Sequence, residues 1–60
     1  MKLLTEYQGT KRTAKVFERD DDYFAIGYSN ELQQAQHKFE MEHQAEKWAE
    51  NWVISEKWVE

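Results

Sequence analysis

No cysteine and no proline occur in this 60-residue chain, and glycine appears only at Gly9 and Gly27. Lack of cysteine removes the disulfide staple and the thiolate metal cage, and it fits a reducing cytoplasm. No apolar run approaches the roughly 20 residues of a membrane-spanning helix. The opening Met1-Lys2-Leu3-Leu4-Thr5-Glu6 lacks the apolar stretch of a signal peptide. A soluble, cytoplasmic protein with no membrane partner is therefore expected. Basic charge is scarce in one half. Residues 1–30 carry five basic and five acidic side chains, residues 31–60 three and seven, for a net charge of −4. That balance argues against a general DNA-neutralising protein, though not against a local basic face.

What the chain has in quantity is aromatic rings: three Trp, three Tyr and three Phe. Each ring can bury about 150–250 Å², so a small core can be built from few residues. The chain is long enough for one domain, and a domain this short buries only about 60% of the surface of its unfolded form.

Leu3, Leu4 and Tyr7 lead into Gln8-Gly9-Thr10-Lys11-Arg12, which reads as a loop or a frayed lead-in strand over residues 1–10. From Thr13, side chains alternate with period two: Ala14 and Val16 one way, Lys15, Phe17 and Arg19 the other. Asp20-Asp21-Asp22 supplies turn-formers, and Tyr23-Phe24-Ala25-Ile26-Gly27-Tyr28 is rich in strand-favouring residues. Ser29-Asn30 marks a second turn. Glu31 to Gln36 suits a helix by propensity, and one helix from Glu31 past Trp52 is the competing reading. Phase decides against it. Ala45, Trp48, Ala49, Trp52 and Val53 match the i, i+3, i+4, i+7, i+8 template, and Leu32 and Phe39 fall off that stripe. As a strand, Ala35, His37, Phe39 and Met41 share one face.

The expected fold is α+β: a three-stranded antiparallel meander, with an optional extra N-terminal strand, followed by one helix over about 42–54 packed on one sheet face. Residues 55–60 extend the helix or form a tail, with Trp58 and Val59 under the sheet rim. A three-residue loop at Asp20-Asp21-Asp22 and a two-residue loop at Asn30-Glu31 set the register. Val16 then faces Ile26, Ala14 faces Tyr28, Ile26 faces Ala35 and Phe24 faces His37. The expected core is Ala14, Val16, Phe24, Ile26, Tyr28, Ala35, Phe39, Ala45, Trp48, Ala49, Trp52 and Val53.

The stretch Tyr7-Gln8-Gly9-Thr10-Lys11-Arg12-Thr13-Ala14-Lys15-Val16-Phe17, an acidic turn, and then Ala45-Glu46-Lys47-Trp48-Ala49-Glu50-Asn51-Trp52-Val53 resembles small uncharacterised proteins of tailed phages of marine cyanobacteria. These tend to show a short strand meander and a final helix with an Ala-Glu-x-x-Ala-Glu-Asn-Trp-Val signature. The resemblance spans most of the chain and implies a phage accessory protein in the host cytoplasm. It carries no activity across.

The sharpest candidate site is the outer sheet face. The expected register groups Arg19, Tyr23 and Lys38 in one row, Phe17, Ala25 and Gln36 in the next, and Lys15, Gly27 and Gln34 in the third. Rings that stack on bases beside cations that hold phosphates are the logic of sheet-based readers of single strands, and Gly27 would admit a close-lying ligand. The plainer reading, that these rings pair with each other or lie under Leu3, Leu4 and Tyr7, carries more weight. A second candidate is the acidic helix face of Glu42, Glu46 and Glu50, which could fit a basic groove on a partner. A solvated face opposite the stripe is the commoner meaning of such spacing. His37 and His43 lack the i, i+4 spacing and a third ligand, so no metal site is expected. Trp48 and Trp52 share a stripe with alanines and read as core.

No Ser–His–acid arrangement stands out. The chain is therefore read as a non-enzymatic binding protein without a cofactor. Its leading partner is another protein, with single-stranded nucleic acid through the outer sheet face as the alternative and a structural homodimer as the third reading.

Overall fold

A computed structural model describes residues 2–55. Four strands and one helix follow one another: β1 (Lys2–Gln8), β2 (Arg12–Arg19), β3 (Asp22–Ser29), β4 (Leu32–Phe39) and α1 (Glu42–Ile54). The strands form one antiparallel sheet in the order β1-β2-β3-β4. The α+β meander with its helix on one face is as expected, but the lead-in is a full strand. β1 pairs with β2 from Lys2↔Glu18 to Gln8↔Thr13. The tail expected over 55–60 lies outside the described residues from position 56 onward.

Register is where sequence and structure part. Only Asp20 and Asp21 form the first hairpin loop, both with left-handed backbone (φ 49° and 68°), and Asp22 pairs with Arg19 inside the strands. Two-residue loops with positive φ match the right-handed twist of the strands they join, and Asp tolerates that conformation better than most residues. Val16 therefore pairs with Ala25 and Ala14 with Gly27, not with Ile26 and Tyr28. The second loop, Asn30-Glu31, has two residues as expected (φ 54° and 68°). Its hairpin then changes register, from Tyr28↔Gln33 to Gly27↔Ala35, leaving Gln34 as an extra residue. Ile26 meets Gln36 and Phe24 meets Lys38, not Ala35 and His37.

These two one-residue differences compensate. β2 and β4 keep their expected inward faces, while β3 is turned over. Tyr23, Ala25 and Gly27 face the helix, and Phe24, Ile26 and Tyr28, expected in the core, lie on the far side. The helix-side core accordingly contains Ala14, Val16, Ala25, Ala45 and Ala49 at 0% exposure, with Leu4, Tyr7, Tyr23, Phe39, Trp48, Trp52 and Val53 packed around them.

Steric fit explains the inversion. Trp48 and Trp52 stack at 5.5 Å between centroids and 12° between planes, and their bulk demands small residues opposite. A Cβ on Gly27 would stand 2.6 Å from the Trp52 ring. The indole N–H of Trp52 donates to the Tyr28 carbonyl at 3.1 Å, which ties the last helical turn to β3. Arg12 completes the lock: its guanidinium stacks 4.5 Å from the Trp52 ring centre and donates to the Trp52 carbonyl at 3.4 Å and to the Ser55 hydroxyl. A cation at a helix C-terminus meets the negative end of the helix dipole. The helix itself has no basic residue in its last turn, so β2 supplies the stop that the helix sequence lacks.

Candidate functional site

One face of the sheet is occupied by α1, and among the described residues no element lies over the other. Strand pairing arranges that open face in three cross-strand rows: Leu3–Phe17–Phe24–Lys38, Glu6–Lys15–Ile26–Gln36 and Gln8–Thr13–Tyr28–Gln33. Phe17, Phe24 and Tyr28 are half-buried by their neighbours, Ile26 is 9% exposed, and Leu3 is 49% exposed at the edge. β1 lies beside β2 in the sheet plane, with Leu4 and Tyr7 on the helix side. Residues 2–8 thus do not cover Phe17.

Of the residues expected on this face, Lys15, Phe17, Arg19, Gln36 and Lys38 are there. Tyr23 is not: it pairs with Glu18 and Phe39 and packs in the helix-side cluster. Gln34 is the extra residue of the β4 irregularity, without a cross-strand partner. Gly27 does admit a close neighbour, but that neighbour is Trp52 of the same chain. Phe24, Ile26 and Tyr28 take the vacated positions, so the true face is more apolar than expected.

Two of its cations are ion-paired. Arg19 lies 3.6 Å from Asp20, and Lys38 lies 3.3 Å from Asp22. Lys15 sits 5.4 Å from the Tyr28 ring centre and pairs across the strands with Glu6. Glu6, Thr13, Lys15, Tyr28 and Glu31 line a shallow hollow of about 270 Å³. The result is an apolar run of Phe17, Phe24, Ile26 and Tyr28 with Lys15 beside it in the middle row, and the Arg19–Asp20 and Lys38–Asp22 pairs at the rim.

The glutamate row is solvated at two of its three positions and lies against the sheet edge at the third. Glu42 and Glu50 are exposed, but Glu46 is half-buried, and the Thr5 hydroxyl reaches its carboxylate at 3.5 Å. The row therefore flanks β1. The Tyr7 phenol is pushed above its ordinary value by burial and then by Glu46 and Glu50. The Tyr23 phenol is raised by loss of hydration and by the carboxylates of Glu18, Glu42 and Asp21. Glu42 is raised above 4.5 by its hydrogen bond with Glu46, then by loss of hydration and by the charges of Glu46 and Glu18, against a lowering by Lys2.

A carboxyl whose folded-state pKa lies above its unfolded value contributes stability that is fully present below the unfolded value and is lost as pH rises through the folded one. Glu42→Gln is accordingly expected to match the parent in Tm at about pH 3.5, below the ordinary value of 4.5, and to exceed it at about pH 7. A lower Tm at neutral pH would mean that attraction to the helix N-terminus outweighs repulsion within the row.

His37 stands at the rim, its ring 5.0 Å from Trp48 and 6.4 Å from Phe39. His43 lies on the helix beside Met41 and Glu46, around an open hollow of about 480 Å³. Among the described residues no group of three or more His, Cys, Asp or Glu is placed to hold a metal ion, and no helix is long and apolar enough to cross a membrane. Comparison of the chain with protein-family models, with curated proteins and with solved structures finds no match in any of the three.

Proposed function

We propose that this protein is a non-enzymatic binding module, that the sheet face opposite the helix is its recognition surface, and that its partner is another protein. The observation that carries this reading is the continuous apolar centre of that face, Phe17, Phe24, Ile26 and Tyr28, with no layer of the described residues over it. Half-buried rings gathered on an uncovered sheet face and rimmed by polar groups mark an interaction surface. The charges around the face favour a protein partner over a nucleic acid. Arg19 and Lys38 are ion-paired with Asp20 and Asp22, and Lys15 has Glu6 as its cross-strand neighbour, so three acidic side chains stand beside the three cations and little positive charge is left over to neutralise phosphates. A single-strand reader needs a basic track beside its rings. In keeping with the phage resemblance of its helix, the chain reads as an accessory protein acting in the cytoplasm of an infected host.

A photo-crosslinking side chain in place of Phe24, activated in producing cells, tests this directly. The expected products are protein–protein adducts, far more abundant than from the same group at the exposed Asn51 on the helix. Adducts to nucleic acid, or equal yields from the two positions, would contradict the proposal.

A further inference from the structure

We infer that the protein seated on this face is a second copy of the chain, so that two sheets stack with both helices outward. The inference rests on the reading of the face as protein-binding and names its partner.

The first ground is the core. Its fully buried members are four alanines and Val16, and Val16 is the largest side chain buried completely. Small domains without a disulfide or a metal can draw added stability from oligomerisation, and here the larger aliphatic and aromatic groups of β3 lie on the open side. Stacking two such faces turns each half-buried ring into the middle of a sandwich core, with sheets about 10 Å apart.

The second ground is symmetry of charge. Glu6 lies on β1 at one lateral edge of the face and Lys38 on β4 at the other. A two-fold axis between the sheets, parallel to the strands, lays β1 of each copy over β4 of the other and β2 over β3. Phe17 then meets Phe24 of the second copy, and Glu6 comes within one row of Lys38 of the second copy. At the rim the contact is self-complementary, as a two-fold interface must be; in the middle row Lys15 lies over Ile26 of the second copy, its ammonium held toward the Tyr28 ring.

Area agrees with a modest interface. Strands of seven or eight residues at about 3.4 Å each, spaced about 4.8 Å apart, give a face of roughly 450 Å² in projection. Side-chain relief raises this toward the about 600 Å² per partner at the lower end of stable complexes. The edges are poorer routes. β1 changes register between Leu3 and Thr5 and β4 beside Gln34, and irregularities with charged side chains are what blunt edge pairing.

Sedimentation equilibrium of the full chain tests the inference. The mass is expected to rise from 7.3 kDa in dilute solution toward twice that at about 300 µM, above the micromolar constants typical of modest interfaces. Phe24→Lys, with unchanged far-UV circular dichroism, is expected to remain a monomer at the same concentration. If Phe24→Lys fails to fold, the charge variants decide. Glu6→Lys and Lys38→Glu are each expected to be monomeric alone and to form a heterodimer when mixed, because both cross-pairs are then attractive.

A monomer at all concentrations overturns the inference. So does a folded Phe24→Lys dimer, or mixing that changes nothing. A monomer that still yields protein adducts from position 24 would leave the binding reading standing and remove only the second copy. Absence of protein adducts removes both.

Discussion

Trp52→Ala is expected to remove most of the chain's stability at 25 °C. Removing a packed tryptophan typically costs about 3–5 kcal/mol, and the whole stability of a domain of this length is on the order of 3–9 kcal/mol at 0.05–0.15 per residue. Trp52 concentrates several separate contacts. Its ring stacks on Trp48, lies against the backbone of Gly27, carries the Arg12 guanidinium and donates to the Tyr28 carbonyl. Loss of the side chain leaves a cavity between helix and sheet and leaves that carbonyl without its indole donor. With fully buried side chains no larger than valine, the remaining core has little with which to compensate. Urea unfolding followed by far-UV circular dichroism provides the check. A cooperative transition with a midpoint close to the parent's would show that Trp52 does not hold the helix to the sheet.

Gly27→Ala carries the second large effect, and its sign is diagnostic. Within a strand, glycine is ordinarily the poorer residue by about 0.5–1 kcal/mol relative to alanine, so the substitution should stabilise wherever the site is open. Here the added Cβ would stand 2.6, 2.7 and 2.9 Å from three atoms of the Trp52 indole. The ring must shift, and its hydrogen bond to Tyr28 shifts with it. A cost of about 1–3 kcal/mol is expected, as for overpacked cores, read as a fall in Tm of about 4–8 °C per kcal/mol for a domain of this size. In a Trp52→Phe background the narrower ring relieves the clash, and the penalty should shrink. A Gly27→Ala protein more stable than the parent would put Gly27 on the open face and undo the strand register described above.

That register shows where sequence information ran thin. The helix was legible because its stripe is unambiguous: Ala45, Trp48, Ala49, Trp52 and Val53 repeat with helical period, and the structure starts it at Glu42 and ends it at Ile54. β2 was legible because Ala14 and Val16 alternate with polar neighbours. β3 was not, because both of its faces can be buried. Tyr23, Ala25 and Gly27 make one, Phe24, Ile26 and Tyr28 the other, and hydrophobicity alone favours the second. Volume favours the first, since two stacked tryptophans leave room only for small side chains beneath them. The small residues Ala14, Ala25, Gly27, Ala45 and Ala49 were the available signal. Three consecutive aspartates hid which two form the loop, and nothing in Gln33-Gln34-Ala35-Gln36 marks Gln34 as the extra residue. Each ambiguity amounts to one residue, and one residue turns a strand over.

For the candidate site the effect was to exchange its membership rather than its position. The face opposite the helix was foreseen with Lys15, Phe17, Arg19, Gln36 and Lys38 upon it. Turning β3 over removes Tyr23 and brings in Phe24, Ile26 and Tyr28, which moves the chemistry from base stacking beside cations toward burial of apolar area against a protein. The ion pairs of Arg19 and Lys38 with Asp20 and Asp22 push the same way, and only the register that pairs Arg19 with Asp22 brings the second aspartate to the rim.

Everything assigned to the open face therefore depends on which side chains of β3 meet the helix. Proton NMR cross-relaxation reads that directly. The α-protons of Gly27 should show strong contacts to the Trp52 indole and large ring-current shifts, while Phe24 and Ile26 should show contacts to Phe17, Lys15 and Gln36 and none to α1 of the same chain. Contacts from Phe24 or Ile26 to Ala45, Ala49 or Trp52, with Gly27 silent, would contradict the account at its base.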